Sequence, residues 1–425
     1  MKEATFVTLT PYKPSTFVFF YILGLLHVAP LLGDDWPQFR GPGGQGHHTT
    51  SKELPKHWSE TESVTWKVPI SGLGWSSPVV SGEEIWLTTA IEEERSLRAL
   101  CIHVDTGDIT HDIEVFAPEE LVVKHARNSH ATPTPVIGHK HVFVHFGTYG
   151  TAALDRETGE VAWRNEDLVL EHQWGPGSSP ILVEDRLVFN CDGMKRRYVV
   201  ALDARTGEIA WKTERSIPIN KGGHYRKAFS TPLQVESNGE LAIVSTGANQ
   251  VSAYAARSGQ ELWTAEFNGY ASVSTPVTSR NLVLITTGYG DKSLIAIHTE
   301  SIEGRKAGDI AWKTGRSAPI IPSPIAVDGA IYVTSDDGIL QCLDANSGES
   351  LWKTRLSGNF ASSPTYAGGY LYFHNDRGET FVIEPDQKQL KLEATNQLDS
   401  NIQASMAVVD TSIFIRTASS LYRID

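Results

Sequence analysis

The chain has 425 residues, of which 40% are apolar and 9% aromatic, and its formal net charge at neutral pH is −13. This composition is too apolar and too aromatic for a disordered protein, and the length requires several domains or one repeat architecture. Nucleic-acid binders and proteins held on anionic lipid normally carry an excess of basic residues, so the acidic balance argues against both as the main role.

The N-terminal residues contain an apolar run, Phe17 to Leu26, that follows two lysines. The run is too short to span a bilayer and is typical of the core of a signal peptide. We therefore predict a signal peptide over residues 1–33, an exported chain in the periplasm or cell envelope, and no transmembrane segment in the mature chain. A short uncleaved anchor is the alternative. Residues 34–63 are predicted to form an N-terminal extension.

The three cysteines, Cys101, Cys191 and Cys342, lie far apart in the sequence. Neither a Cys-x-x-Cys pair nor two adjacent cysteines occur, so the pattern indicates neither a disulfide framework nor a zinc site. No metal site is predicted.

The sequence repeats one motif, in which a glycine is followed four residues later by a tryptophan. Clear copies occupy residues 153–163, 201–211, 253–263 and 342–352. A fifth copy ends at Trp312 after an insertion, Glu300–Ala307, while His111 and Lys391 stand at the tryptophan position of two degenerate copies. Trp66 stands alone before them all.

A second landmark is a Ser-Pro or Thr-Pro pair that opens a short apolar strand in each repeat. The pairs begin at Ser77, Thr134, Ser179, Thr231, Thr275, Ser323 and Ser363. Four short strands in each unit of about 40–50 residues are the signature of a β-propeller blade. The tryptophan positions predict an all-β, eight-bladed propeller over residues 64–425. Because the C-terminus stops one strand short of a blade, we expect an N-terminal strand around Trp66 to close the ring.

Each part of the motif has a physical reason. The glycine supplies the positive φ of a tight turn between the third and fourth strands, and an Asp four residues earlier can accept hydrogen bonds from that turn. The tryptophan follows on the outermost strand, where burial against the next blade stabilises the junction. The tryptophans predicted to be structural in this way are Trp66, Trp163, Trp211, Trp263, Trp312 and Trp352.

The Ala-x-Asp-x-x-Thr-Gly-x-x-x-Trp pattern resembles the tryptophan-docking repeat of the pyrroloquinoline-quinone (PQQ) repeat propellers. That family includes the BamB lipoprotein of outer-membrane assembly and the quinoprotein alcohol dehydrogenases, and the resemblance covers residues 64–425. It implies the propeller fold and leaves the function open. The segment Trp36-Pro-Gln-Phe-Arg-Gly41 also resembles the start of exported members of this family.

The resemblance implies PQQ chemistry only if the cofactor-binding residues of the dehydrogenases are present. Those enzymes carry adjacent cysteines above the cofactor, a calcium-binding set and a base Asp, and none of these motifs can be matched in this sequence. We therefore predict no catalytic, cofactor-binding or metal-binding residue. The Arg226-Lys227 pair is the local cationic cluster that could attract an anionic ligand such as PQQ.

The loops that lead into the first strand of each blade share one face of a propeller. Aromatic and polar residues recur in them, which is typical of a binding surface, although packing at the channel mouth would use the same residues. The residues predicted to line a binding funnel are Trp75, His130, Trp174, Tyr225, Arg226, Tyr270 and Phe360.

These patterns favour a monomeric, non-enzymatic binding or scaffolding module for another envelope protein, a peptide or a small ligand. The main alternative is a PQQ-dependent dehydrogenase-like oxidoreductase. A different enzyme, such as a hydrolase that uses the funnel, is a third reading, because catalytic residues drawn from separate blades leave no sequence motif.

Overall fold

The computed structural model describes Met1 and residues 35–50, 52–168, 170–315 and 318–425. Apart from Met1, the predicted signal peptide lies outside the described residues. The described residues form eight sheets that each contain four antiparallel strands, and each sheet is one blade of a β-propeller. The predicted eight-bladed fold is therefore confirmed.

The blades follow one another along the chain, and the short first strand of each lies nearest the channel. Blade 1 consists of Val79–Ser81, Glu84–Ile91, Ser96–His103 and Ile109–Phe116; blade 2 of Val136–Ile137, His141–His145, Thr151–Asp155 and Val161–Asn165; blade 3 of Ile181–Val183, Arg186–Asp192, Arg197–Asp203 and Ile209–Glu214; and blade 4 of Leu233–Ser237, Glu240–Thr246, Gln250–Ala255 and Glu261–Glu266.

The second half of the ring repeats this order. Blade 5 consists of Val277–Ser279, Leu282–Thr286, Leu294–His298 and Ile310–Thr314; blade 6 of Ile325–Val327, Ala330–Thr334, Ile339–Asp344 and Ser350–Arg355; blade 7 of Thr365–Ala367, Tyr370–His374, Glu379–Glu384 and Lys391–Gln397; and blade 8 of Ala407–Val409, Ser412–Arg416, Ser420–Ile424 and Val64–Pro69. Two further short strands, Gly269–Tyr270 and Tyr289–Gly290, pair with each other, and His47–His48 joins blade 7. The 3₁₀-helices are Pro42–Gly44, Glu92–Glu94, Gly147–Tyr149 and Gly223–Arg226.

The ring closes through the N-terminal strand. Val64–Pro69 runs antiparallel to Ser420–Ile424, with Val64 opposite Ile424 and Pro69 opposite Ser420. This strand supplies the outer position that the C-terminal part of the chain leaves empty in blade 8, and the predicted closing strand is confirmed. Without it, the edge of Ser420–Ile424 would present unpaired backbone groups.

The tryptophan of one blade lies over the turn glycine of the next blade. Trp211 Nε1 donates a hydrogen bond of 2.9 Å to the carbonyl of Ala256, and a Cβ at position 259 would lie 2.5 Å from the indole ring. Gly259 therefore serves two purposes, because its φ of +70° also suits the turn. Trp163 and Trp312 repeat this contact with Gly207 and Gly348.

Hydroxyl groups at the start of the blades form a ring around the channel. The backbone N–H of Ser77 donates to Thr134 Oγ1 at 3.0 Å, and Ser405 N–H donates to Ser77 Oγ at 3.0 Å, which joins the last blade to the first. Five more links run from Thr134 to Ser179, Ser179 to Thr231, Thr275 to Ser323, Ser323 to Ser363 and Ser363 to Ser405. Among the described residues, no such bond joins Thr231 to Thr275, so the hydrogen-bonded ring is interrupted there. Seven of the ring members are the predicted Ser-Pro and Thr-Pro landmarks. Ser405 is the eighth, and it precedes a methionine instead of a proline.

Residues 35–48, which we call the channel hairpin, occupy the channel inside this ring. Trp36 pairs with Val80 of blade 1 through two backbone hydrogen bonds of 2.8 Å, and His47–His48 runs parallel to the first strand of blade 7. Trp36 is fully buried, and a Cβ at Gly41 would lie 2.5 Å from its ring. The conformational demand at Gly41 explains why glycine ends the Trp-Pro-Gln-Phe-Arg-Gly segment.

The channel hairpin is held by several blades. Arg40 is buried, and its Nη2 donates to the carbonyls of Gln45 and Pro324 at 2.8 and 2.9 Å. Burial lowers the pKa of this guanidinium to about 9. Asp35, at the start of the hairpin, accepts from Gly82 N–H in the turn between the first two strands of blade 1.

Candidate functional site

A funnel of about 740 Å³ opens on the face where the loops lead into the first strands. Its floor consists of members of the hydroxyl ring together with Phe39 from the channel hairpin. Because Asp35 lies at the other end of the channel and Phe39 at the funnel, the hairpin enters from the opposite face. The funnel is therefore a closed cup.

Aromatic side chains from five blades and the channel hairpin dominate the wall and floor. They are Phe39, Trp75, Trp174, Phe229, Tyr270, Tyr289 and Phe360. The polar and charged side chains of the wall are His125, Arg127, Asn128, Asn359, Asp376, Asn401 and Gln403. This combination of broad apolar surface and a few polar groups is the usual composition of a binding site.

Four of the seven predicted funnel residues line the cavity. Trp75, Trp174, Tyr270 and Phe360 do so from blades 1, 3, 5 and 7. Tyr225 lies at the rim, with its ring centroid 4.9 Å from that of Tyr270.

The other two predicted residues lie outside the lining. His130 is buried behind the wall, where its Nδ1 lies 3.4 Å from the Tyr149 hydroxyl and burial lowers the pKa of its imidazole. Arg226 is half-buried beside the wall. Both residues belong to loops that reach the funnel, and the direction of each side chain could not be read from the loop sequence.

Trp174 rests on a buried cation. Lys227 Nζ lies 3.3 Å from the centroid of the Trp174 ring system and donates to Gln173 Oε1 at 2.8 Å. The Lys227 side chain is buried, and burial lowers the pKa of its ammonium to about 8. Phe229 stacks against Trp174 with a centroid distance of 6.2 Å. A cation against an aromatic face stabilises both groups, so the platform is rigid.

The loop that carries Trp174 is also tied to its neighbour. Asn128 Nδ2 donates to the carbonyls of Trp174 and Pro176 at 2.7 and 2.9 Å. A Cβ at Gly175, whose φ is +84°, would lie 2.9 Å from that amide nitrogen. The glycine therefore allows the close approach of the two loops.

The acidic residues near the funnel hold the loops of blades 6 and 7. Asp376 accepts from the backbone N–H and the side-chain amide of Asn359 at 2.9 and 2.7 Å. Asp336 accepts from the N–H groups of Ile320 and Ile321 at 2.9 and 3.1 Å, while burial raises the pKa of its carboxyl. These carboxylates stabilise the wall.

The two sides of the funnel therefore differ in charge. Arg127 and His125 are exposed on the side of blades 2 and 3, close to the Lys227 and Trp174 platform. Within the described ranges, no carboxylate lies within 4 Å of Arg127 or Lys227. The opposite side presents amides and one carboxylate that already has partners.

Among the described residues, no three His, Cys, Asp or Glu side chains come together as a metal site. The three cysteines are buried and unbonded. In the same part of the chain, no helix has the length and apolar character needed to cross a membrane.

Sequence reasoning missed Phe39 and the burial of Lys227. Phe39 belongs to a segment outside the repeats, so the blade pattern gave it no position. Asn128 lies in one of the loops predicted to face the funnel, but its hydrogen bonds to the Trp174 loop depend on the neighbouring blade and leave no motif in the sequence.

The family model described as outer membrane protein assembly factor BamB matches residues 117–214, 195–319 and 301–425. Among solved structures, BamB from Moraxella catarrhalis superposes with a TM-score of 0.59 at 13% identity, covering 85% of this chain and 99% of that chain. The quinohemoprotein alcohol dehydrogenase ADHIIG from Pseudomonas putida HK5 gives a TM-score of 0.65 at 11% identity, covering 92% of this chain and 80% of that chain.

The quinohemoprotein alcohol dehydrogenase from Comamonas testosteroni gives a TM-score of 0.63 at 10% identity, with the same two coverages. No curated protein sequence matches this chain. At these identities the structural likenesses establish the fold alone. The sequence model matches well over half of the chain, and on that basis the chain belongs to the BamB-like family of PQQ-repeat propellers.

Proposed function

We propose that this chain is an exported, non-enzymatic envelope propeller whose funnel binds another envelope protein or a peptide segment of one. The observation that carries the proposal is the funnel itself, a cup of about 740 Å³ with aromatic walls and a closed floor. Large, rigid aromatic surfaces contribute most of the binding energy in protein interfaces. Membership of the BamB-like family supports the same conclusion.

The rigidity of the walls supports binding without rearrangement. The Trp174 loop is fixed by Asn128, and the Asn359 loop is fixed by Asp376. A surface held in place before binding loses little conformational entropy when its partner arrives.

The dehydrogenase alternative gains its support from the quinohemoprotein structures and from the cationic platform at Trp174. The residues of this chain do not fit the redox site that the resemblance implies. Its cysteines are separate and buried, and the carboxylates Asp336 and Asp376 are engaged by backbone and amide groups instead of forming a cation site. We derive no redox step for this protein.

Affinity capture from envelope extract, followed by titration of the captured protein, tests the proposed function. Trp75→Ala and Phe360→Ala should each weaken the purified pair about tenfold or more. Leu392→Ala, which removes an exposed apolar side chain from the outer strand of blade 7, is the matched control. Equal affinity of all four proteins would contradict binding in the funnel.

A dye-reduction assay with PQQ, Ca²⁺ and alcohols tests the alternative. We expect no substrate-dependent reduction. Turnover that saturates with PQQ would overturn the non-enzymatic proposal. Cell fractionation of the full chain and of a chain lacking residues 2–33 tests export, which should be lost with the deletion.

A further inference from the structure

Three tyrosines form a row along the rim of the funnel between blades 3 and 5. The ring centroids of Tyr225 and Tyr270 are 4.9 Å apart with an interplanar angle of 72°, and those of Tyr270 and Tyr289 are 6.0 Å apart with an angle of 30°. Tyr270 and Tyr289 are direct cross-strand partners in the extra two-stranded sheet, which fixes their spacing. We call these three residues the tyrosine ladder.

The ladder is accessible and its hydroxyl groups are available. Tyr289 is 42% exposed, and Tyr225 and Tyr270 are half-buried. In the described part of the chain, none of the three hydroxyls makes a hydrogen bond. By contrast, the Tyr422 hydroxyl donates to Asp399 at 2.7 Å, and the Tyr370 hydroxyl accepts from Lys56 at 3.1 Å.

The spacing of the ladder matches an extended peptide. A polyproline II helix rises about 3.1 Å per residue and leaves its backbone carbonyls without internal partners. The two centroid distances together allow the ladder to cover at most three to four residues of such a helix, about one turn. Tyrosine rings can pack against proline rings while their hydroxyls donate to the free carbonyls. Because Tyr225 and Tyr270 meet edge to face, they form with Tyr289 one aromatic surface against which proline rings can pack.

Lysines flank both ends of the ladder. Lys221 Nζ lies 5.6 Å from the Tyr225 centroid, and Lys292 Nζ lies 6.0 Å from the Tyr289 centroid. Both lysines are exposed, and within the described ranges neither has a carboxylate within 4 Å. Their charge is therefore available to an acidic partner, in a protein whose overall charge is negative.

We propose that the tyrosine ladder binds a proline-rich peptide segment with acidic flanks, held in the polyproline II conformation. The segment crosses the rim of the funnel, with its prolines against the exposed aromatic surface of the ladder and its acidic residues near Lys221 and Lys292. The proposal rests on the proposed function, because it names the kind of partner segment that the funnel face receives.

Fluorescence anisotropy with labelled peptides and the full chain tests the proposal. The probe is a nine-residue peptide of five prolines between two aspartates on each side. The comparison peptides replace the prolines by Gly and Ser, or the aspartates by lysines. We expect saturable binding of the probe, at least tenfold weaker binding of the Gly/Ser peptide, and weaker binding of the lysine-flanked peptide at low salt.

The variants Tyr289→Ala and Tyr270→Ala should each weaken binding about tenfold, and Tyr289→Phe should have a smaller effect because it removes only the hydroxyl. Tyr289 is exposed enough for its variants to fold, so the test does not depend on Tyr270. Tyr370→Ala is the matched control, since Tyr370 also lies under a lysine, Lys56, but on blade 7 outside the funnel lining. It should leave the affinity unchanged.

Equal binding of the proline and Gly/Ser peptides, or no effect of Tyr289→Ala, would overturn the proposal. Binding of an oligosaccharide such as cellohexaose by the ladder, without binding of the proline probe, would overturn it as well. The proposed function fails separately. Capture of a partner whose binding requires Trp75 and Phe360 but not the tyrosine ladder would support the proposed function. It would contradict only the proposal that the partner segment is a proline-rich peptide.

Discussion

The turns between the third and fourth strands and the loops that lead into the first strands lie at opposite faces of the ring. The turns repeat one design. Asp203 Oδ1 accepts from the N–H groups of Arg205 and Thr206 at 2.9 and 3.2 Å, and Asp155 and Asp344 do the same in blades 2 and 6. The loops differ in length and residues, from residues 117–135 before blade 2 to residues 356–364 before blade 7.

The two faces therefore contribute differently to the fold and to binding. At the repeated face, equivalent backbone N–H groups of the turn are hydrogen-bonded and an equivalent tryptophan is buried in several successive blades. These contacts specify the fold. At the funnel face, a different side chain, such as Asn128 or Asp376, holds each loop by hydrogen bonds. The loop sequences can therefore differ from one another and bind a specific partner. Substitutions at the two faces should have different consequences.

The largest expected effect is the loss of a blade-junction tryptophan. Trp211→Ala should lower the free energy of unfolding by about 3–5 kcal/mol, because it leaves a cavity at the junction and an unpaired Ala256 carbonyl. Trp174→Ala should cost about 1 kcal/mol, since that ring borders the open funnel. Urea denaturation of both variants measures the contrast, and equal losses would contradict it.

The turn glycines provide a sharper comparison with a smaller effect. Gly239 has a φ of +77° and nothing within 4 Å of an added Cβ, so Gly239→Ala should cost about 1–2 kcal/mol for the backbone alone. Gly259→Ala adds the collision with Trp211 and should cost about 1–3 kcal/mol more. If the two variants unfold at the same denaturant concentration, the indole contact does not constrain the turn.

Buried histidines at the ends of second strands predict a loss of stability in acid. Burial lowers the pKa of His145 and of His374 to about 3, from an ordinary value of 6.5. Between these values the unfolded chain binds protons that the folded chain does not, so stability falls as the pH decreases from about 6.5. Each histidine contributes at most about 1.4 kcal/mol per pH unit.

His374→Asn should reduce this slope between pH 6 and pH 5, where most carboxylates are still ionised. His139→Asn is the matched control, because His139 is exposed on blade 2. Thermal melting across this pH range checks both variants. An unchanged slope for His374→Asn would show that other groups control the acid response.

The sequence predicted the blades because the same physical requirement recurs in each of them. The Gly-to-Trp spacing identified the junctions, and the Ser-Pro and Thr-Pro pairs identified seven of the eight members of the hydroxyl ring. Ser405 was not identified as a ring member because Met406 follows it, whereas a proline follows the residue at each of the other seven positions. The closing strand was predicted from Trp66, because a tryptophan of this kind with no repeat of its own fits the outer strand that the last blade lacks.

The site could be predicted only in part, because its geometry depends on contacts between loops of different blades. The loops of Trp75, Trp174, Tyr270 and Phe360 were identified from their position before a first strand. His130 belongs to such a loop as well, yet its side chain turns inward to Tyr149. The channel hairpin lies outside the repeat, so nothing in the pattern indicated that Phe39 forms the funnel floor.

We propose that recognition occurs at the funnel face, whereas the repeated turns stabilise the fold. A photo-crosslinking scan in envelope extract tests it directly, with a photoreactive residue placed at Phe360 or Gln403 in the funnel, or at Glu157 or Asn346 in the repeated turns. We expect one shared protein adduct from the two funnel positions and none from the turns. The same adduct from the turn positions at equal or higher yield would contradict it.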